Sequence, residues 1–125
     1  MRLLLDTHIV VWWLADDPQL PANHRLAIEG PGNEVVVSVG TIWEVAIKSA
    51  LGRIDVPDSF PEVVADEGFA LLPITAAHAW AQRSLPRHHR DPFDRLLVAQ
   101  AMAEGLTLVT VDQVFAAYPV ARLPA

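Results

Sequence analysis

Residues 3–14 read LLLDTHIVVWWL: a short apolar run, a polar turn and a second, longer apolar run. This order is typical of a buried strand of a parallel sheet that leads into a helix. Residues 35–37, VVV, repeat the pattern. They follow the turn at 30–33 and lead into a helix of about ten residues that ends near Gly52. The first part of the chain therefore consists of two strand–helix units.

Further strands and helices are predicted in the rest of the chain. The strands lie at residues 69–72 and 107–109, with a weak last strand at 120–123, and the helices at 57–67, 75–84 and 91–104. The last helix has the clearest limits, because Asp91 can cap it, Pro92 suits its first position and Gly105 ends it. The tryptophans are expected to pack in the core, except that two adjacent ones on one helix, Trp12 and Trp13, cannot both point inward; the other two are Trp43 and Trp80.

Short apolar strands that alternate with helices predict an α/β fold. We expect a three-layer α/β/α sandwich whose central, mostly parallel sheet has four or five strands. A chain of 125 residues is within the usual size of one domain, so we expect a single domain over residues 1–125.

The composition excludes several classes of protein. There is no cysteine, which excludes disulfides, thiol catalysis and cysteine-ligated metal sites and suits a reducing compartment. The longest uninterrupted apolar run, residues 9–15, is far shorter than the roughly 20 residues of a membrane-spanning helix. We therefore expect a cytoplasmic protein without a membrane partner.

The charge of the chain is unevenly distributed. Fifteen acidic and nine basic residues give a net charge of −6, which by itself argues against a nucleic-acid partner. However, four of the nine basic residues, namely Arg83, Arg87, Arg90 and Arg95, fall in one short stretch with two histidines. This stretch can contact RNA phosphates or be a solvated loop, and we favour the contact. The residues expected to contact RNA are Arg87, His88, His89, Arg90 and Arg95.

Four carboxylates occur where a parallel sheet would gather them. Asp6 follows the first strand and Asp112 the fourth, while Glu44 and Asp94 lie near the starts of two helices. Because the carboxyl ends of parallel strands share one edge, these residues can converge there. Each alone also has an ordinary explanation: Asp6 and Asp112 as helix caps, Asp94 as a first-turn acid, and Glu44 as a partner of Lys48 four residues on.

Convergence of carboxylates has a chemical consequence. Like charges about 4 Å apart repel by about 4 kcal/mol at an effective dielectric of 20, so the groups either take up protons or bind cations. Oxygen ligands favour Mg²⁺ or Mn²⁺ over zinc. Such ions can activate a water for in-line attack on a phosphodiester. The hypothesis is metal-dependent hydrolysis of RNA, with the metal-binding and catalytic residues Asp6, Glu44, Asp94 and Asp112.

Four ordered motifs resemble those of PIN-domain ribonucleases. They are LLLDT at 3–7, Val37-Ser38 followed by WEV at 43–45, HRDPFDRLLVA at 89–99, and LVTVD at 108–112. The third motif is the most specific, and the resemblance covers nearly the whole chain. The likeness is strongest to the VapC-type toxins of bacterial toxin–antitoxin pairs.

The resemblance implies a Mg²⁺-dependent endoribonuclease, expected to form a homodimer and to be inhibited by a cognate antitoxin whose chain wraps over the active-site groove. The acidic positions of the family are matched by Asp6, Glu44, Asp94 and Asp112, of which the last is the least dependable in the family. Thr110 is expected to orient Asp112 or a water. Asp91 is expected to cap a helix, and support of a metal ligand by Asp91 stays open.

Two other functions are compatible with parts of the sequence. An Asp at the end of a first parallel strand also serves as the nucleophile of Mg²⁺-dependent phosphatases, although no second Asp lies two residues after Asp6. A catalytically inactive PIN-like interaction module would use its acids only as caps. The glycine motifs of dinucleotide-binding and P-loop proteins are absent from the sequence.

Overall fold

The fold alternates strands and helices. The computed structural model describes residues 1–87 and 90–125. The strands are β1 (Arg2–Leu5), β2 (Glu34–Ser38), β3 (Ala70–Leu72), β4 (Thr107–Val109) and β5 (Arg122–Leu123). The helices are α1 (Thr7–Leu14), α2 (Ala22–Glu29), α3 (Val39–Ala50), α4 (Phe60–Asp66), α5 (Ala76–Ala81) and α6 (Pro92–Glu104), with 3₁₀ turns at Gln82–Ser84 and Gln113–Ala117. No helix in the two described ranges is long and apolar enough to cross a membrane.

The five strands form one sheet in the order β3-β2-β1-β4-β5, and every neighbouring pair is parallel. The first strand is central: Leu4 pairs with Val36 of β2 on one side and with Leu108 of β4 on the other. Parallel strands bring their carboxyl ends to one edge of the sheet. The predicted α/β fold with four or five strands is confirmed.

Helices cover both faces of the sheet. Successive strand residues point to opposite faces. Leu3 and Leu5 therefore pack in one core, while Leu4 packs in a second core with Leu97 and Val98 of α6. A fully buried leucine contributes about 1.5–3 kcal/mol to folding. The three layers of the predicted sandwich are thus present.

The limits of α6 agree with the sequence. Asp91 is the N-cap, and its carboxylate accepts hydrogen bonds from the backbone N–H groups of Phe93 (2.9 Å) and Asp94 (3.2 Å). Pro92 occupies the first turn, and Gly105 ends the helix with a φ of +65°. An N-cap of this kind stabilises a helix by about 1 kcal/mol. These contacts fix the start of the helix that carries Asp94.

Three elements differ from the prediction. Helix α2 is not predicted by the sequence, because only His24 and Ile28 are buried in it and no side chain caps it. Helix α4 begins at Phe60 and not at 57, after a turn in which the Phe60 N–H bonds the Pro57 carbonyl. The helix expected at 75–84 ends as an α-helix at Ala81 and continues as a 3₁₀ turn.

The expectation that the tryptophans pack in the core is wrong for Trp43 and Trp80, whereas Trp12 and Trp13 pack against one of the cores. Trp43 is 56% exposed and Trp80 is 68% exposed, while Trp12 and Trp13 are half-buried. The exposed Trp80 ring packs under the guanidinium of Arg83, 4.6 Å from the ring centroid. Aliphatic side chains form most of the two cores, because the short strands are made almost wholly of leucine and valine.

Candidate active site

Asp6 lies at the carboxyl end of the central strand and is buried. Its Oδ1 accepts the backbone N–H of Thr7 at 2.7 Å, and its Oδ2 accepts the hydroxyl of Thr110 at 2.8 Å. Burial raises the pKa of the Asp6 carboxyl, although both hydrogen bonds act in the opposite direction. The ionised form of Asp6 would therefore gain from a nearby cation.

Glu44 reaches the same edge from helix α3 and is also buried. Its Oε1 accepts the hydroxyl of Thr7 at 2.7 Å, and its Oε2 accepts the ammonium of Lys48 at 2.6 Å. The Thr7 backbone N–H bonds Asp6 while the Thr7 hydroxyl bonds Glu44. One threonine therefore connects two of the predicted metal ligands.

Asp94 faces these carboxylates from the first turn of α6. Burial raises the pKa of Asp94 to about 8, with neighbouring negative charges as the second cause. Those charges belong, in decreasing order of effect, to Asp6, Asp91, Glu44 and Asp112. In the absence of a cation, Asp94 is therefore mostly protonated at pH 7.

Asp112 is a cap, which is one of the explanations that the sequence allowed, whereas Thr110 bonds a different carboxylate from the expected one. Asp112 is exposed and caps the following 3₁₀ turn, where its carboxylate accepts the Val114 N–H at 3.0 Å. The Thr110 hydroxyl donates to Asp6 and accepts the backbone N–H of Asp112 at 3.0 Å. The carboxylate that Thr110 orients is therefore that of Asp6. The physical reason is that Thr110 directly follows β4, while Asp6 directly follows the central strand with which β4 is paired.

The negative charges of the carboxylates act on one another, but their side chains are not arranged as a complete metal site. Within residues 1–87 and 90–125, no group of three or more acidic or histidine side chains is arranged to hold a metal ion. The oxygens of Asp6 and Glu44 instead accept hydrogen bonds from threonines and a lysine. The donor set still fits a hard divalent cation, because it consists of carboxylate oxygens, and burial followed by the neighbouring negative charges raises the pKa of Asp94.

A buried chain of hydrogen bonds holds α3 and α6 in place. The Ser38 hydroxyl, which caps α3, donates to Gln100 Oε1 of α6 at 2.5 Å. The Gln100 amide group lies 3.3 Å from Nδ1 of His78, and Nε2 of His78 lies 2.8 Å from a Glu104 carboxylate oxygen. Since Nδ1 also accepts the Thr75 N–H, the proton of the neutral ring belongs on Nε2. The helices that carry Glu44 and Asp94 thus share one buried network.

The predicted RNA-contacting residues are in different situations. Arg87 and Arg90 are exposed in the segment before α6, where their guanidinium groups can meet a ligand. His88 and His89 lie outside the described residues. Arg87 and Arg90 therefore stay candidates for phosphate contacts.

Arg95 has a structural role, and its predicted contact with RNA stays a prediction. Its guanidinium donates to the carbonyl oxygens of Gln82 (2.7 Å) and Pro86 (2.8 Å). It makes longer contacts of 3.4 Å with the Leu85 carbonyl and the Tyr118 hydroxyl. The same contacts hold the end of α5 and the following turn against α6.

Two features of the site are missed by the sequence interpretation. One is the double contact of Thr7, although Thr7 is part of the LLLDT motif. The other is an aromatic pair: the rings of Trp43 and Phe93 meet edge to face, with centroids 5.0 Å apart. Each ring directly precedes a predicted ligand, Glu44 or Asp94. That position in the sequence was the available signal for a pair beside the site.

Proteins of one family match nearly the whole chain. The family model described as the PIN domain matches residues 3–121. The chain belongs to the PIN-domain family. This PIN domain is 32% identical over 115 residues to Ribonuclease VapC22 from Mycobacterium tuberculosis, an alignment that covers 89% of the chain and 87% of the relative.

Solved structures with this fold include toxin–antitoxin complexes. The PIN domain matches VapBC2 from Rickettsia felis, bound to a DNA fragment from its promoter, with a TM-score of 0.74 and 18% identity over 100% of this chain and 99% of that one. It matches VapBC-5 from Mycobacterium tuberculosis with a TM-score of 0.63 and 19% identity over 99% and 98% of the two chains. At such identities the likeness concerns the fold, which is the predicted PIN-like fold.

Proposed function

We propose that this PIN domain is a metal-dependent endoribonuclease and the toxin of a toxin–antitoxin pair. The observation that carries the proposal is electrostatic: burial, and after it the negative charges of Asp6 and Glu44 among others, raise the pKa of Asp94 to about 8. A protonated carboxyl among other carboxyl groups indicates a place for positive charge. The ribonuclease name of the relative from Mycobacterium tuberculosis supports RNA as the substrate.

Asp6, Glu44 and Asp94 are the residues that would hold Mg²⁺ or Mn²⁺, with Asp112 as a more exposed fourth carboxylate. The bound ion would supply an activated water and charge stabilisation for phosphodiester hydrolysis. Thr110 fixes one oxygen of Asp6, and Thr7 fixes one oxygen of Glu44. Asp91 acts on the site by capping α6, which sets the direction of Asp94.

Arg87 and Arg90 are the groups that we expect to contact RNA phosphates, because both are exposed in the segment that leads to α6. Binding to single-stranded RNA weakens as the salt concentration rises. Each phosphate contact adds about 0.7 to the steepness of log K plotted against log salt. Substituting either arginine with methionine should reduce that slope, whereas the phosphate-independent part of binding should persist.

We also propose an antitoxin as the partner of this domain. The solved relatives from Rickettsia felis and Mycobacterium tuberculosis are such complexes. A groove of about 470 Å³ between α3 and α4 is lined by apolar residues, Ile42 and Phe60 among them, and by Asp55 and Asp58. These residues suit an apolar segment with a basic side chain. Ala46→Arg, on the exposed side of this groove, should weaken inhibition by the antitoxin and leave basal cleavage unchanged.

Homodimer formation is a further proposal, which sedimentation of the purified domain tests.

The test of the function is cleavage of RNA by the purified domain, free of any partner, with Mg²⁺, with Mn²⁺ and with chelator. We expect cleavage only with a metal ion, and its loss in Asp6→Asn and Asp94→Asn variants that keep the wild-type circular dichroism spectrum. Asp66→Asn, an exposed acid on α4, is the matched control and should stay active. An active Asp94→Asn protein would overturn the assignment of the site. Hydrolysis of a small phosphate monoester without RNA cleavage would favour a phosphatase.

A further inference from the structure

Lys48 is the single lysine of this chain, in which the other eight cationic side chains are arginines. It lies in the last turn of α3, one helical turn after Glu44. Its Nζ is 2.6 Å from Glu44 Oε2. A pair at this spacing on an exposed helix is an ordinary surface ion pair that contributes little. The surroundings of Lys48 are not those of a surface pair.

The Glu44 side chain is only 5% exposed, and that of Lys48 is 31% exposed. The other Glu44 oxygen accepts the Thr7 hydroxyl, so both oxygens of this buried carboxylate have a donor inside the protein. The hydrogen bond to Glu44 raises the pKa of the Lys48 ammonium, and the charges of Asp91 and Asp94 raise it further. The ammonium therefore lies in the field of the same carboxylates that would bind a metal ion.

We propose that Lys48 is a tethered counter-ion that occupies Glu44 in the metal-free domain and competes with the divalent cation for that carboxylate. The inference rests on the proposed metal site and adds a regulatory element to it. A divalent ion bound to Glu44 would lie within a few ångströms of the ammonium, and two cations at that distance repel each other. In this proposal, a divalent ion that binds Glu44 Oε2 displaces the Lys48 ammonium from that oxygen.

The competition predicts a gain of metal affinity when the lysine charge is removed. Lys48→Met keeps the apolar stem and should bind Mn²⁺ about five- to tenfold more tightly than wild type, as measured by titration calorimetry without RNA. Lys48→Arg keeps the charge and should stay within about twofold of wild type. Arg53→Met is the matched control, because it removes one exposed cation just beyond α3 and changes the net charge equally. It should also stay within about twofold.

The outcomes separate the two proposals. Equal or weaker Mn²⁺ binding by Lys48→Met would overturn the counter-ion role, and weaker binding would indicate that Lys48 positions Glu44 for the metal. A wild-type domain that binds no Mn²⁺ would instead contradict the metal-dependent function itself. If Lys48→Met and Arg53→Met both bind Mn²⁺ more tightly than wild type, the gain in affinity comes from the change in net charge. This result would also overturn the inference.

The single lysine allows a direct observation of the displacement. Reductive methylation with ¹³C-formaldehyde labels only two amines in this chain, Lys48 and the N-terminus. The N-terminal amine bonds the Asn33 side chain at 2.8 Å and serves as an internal reference. Addition of Mg²⁺ should shift the Lys48 signal and leave the N-terminal signal in place. Calorimetric binding of Mg²⁺ without a shift of the Lys48 signal would refute the displacement.

Discussion

Replacing Asp94 with asparagine should make the metal-free domain more stable at neutral and alkaline pH, although the change removes a proposed metal ligand. The pKa of Asp94 is about 8 in the folded state, above its ordinary value of 3.8. Between these pH values the native state holds more protons than the unfolded chain. The stability that protonated Asp94 confers is therefore complete below about pH 4 and is lost as the pH rises through about 8.

The size of the effect follows from the proton difference. One full proton changes the free energy of unfolding by about 1.4 kcal/mol per pH unit. Asp94 is partly exposed, so solvent screening reduces this value considerably. Asparagine also loses the interaction of an ionised acid with the α6 N-terminus, about 0.3–1 kcal/mol. We expect Asp94→Asn to be more stable than wild type by about 1–3 kcal/mol at pH 8.5, and within about 0.5 kcal/mol of it at pH 5.

The assay is urea unfolding followed by circular dichroism, in chelator, at both pH values. Asp66→Asn is the control and should change the free energy of unfolding by no more than about 0.5 kcal/mol at either pH. Mn²⁺ at a thousand times its Kd should then reverse the order, because a ligand at that excess stabilises the wild type by about 4.1 kcal/mol. A variant that is no more stable than wild type at pH 8.5, or that differs equally at both pH values, would refute the reasoning.

Three further substitutions test particular contacts. Thr110→Val removes the donor to a buried oxygen of Asp6 and should lower the free energy of unfolding by about 1–3 kcal/mol and weaken Mn²⁺ binding in calorimetry; unchanged values would contradict the contact. Arg95→Met should cost about 1–3 kcal/mol in urea unfolding, because loop carbonyl oxygens lose their donor, whereas Arg90→Met should cost less than about 0.5 kcal/mol. Gly105→Ala should lower the free energy of unfolding by about 1 kcal/mol, because an alanine is strained at a φ of +65°; a melting temperature equal to that of wild type would count against it.

The fold could be predicted because strands buried on both faces must be apolar almost throughout. The runs at 3–5 and 35–37 are of this kind, and both are central strands. Helix α2 could not be predicted, since its position depends on a distant contact: Nε2 of His24 lies 2.9 Å from the carbonyl of Leu123. No local pattern in the sequence contains that information.

Whereas the convergence of the acids on a metal ion stays a prediction, the positions of Asp6 after β1 and of Asp94 in the first turn of α6 could be predicted. The hydrogen bonds of the site could not, because they depend on how each side chain is turned. Thr110 bonds Asp6, whereas its place in the sequence pointed to Asp112. Arg95 and Arg90 look equivalent in the basic stretch, yet a helical position directs the former towards carbonyl oxygens of the protein.

The central position of β1 has a consequence for the synthesis of this domain. Leu5, at the end of the first strand, pairs with Val109, so about a hundred residues must be made before the sheet can close around it. The loop between the two strands must be closed before the pairing contributes any stability. A nascent chain that has not yet reached Thr110 therefore lacks the hydrogen bond that holds Asp6.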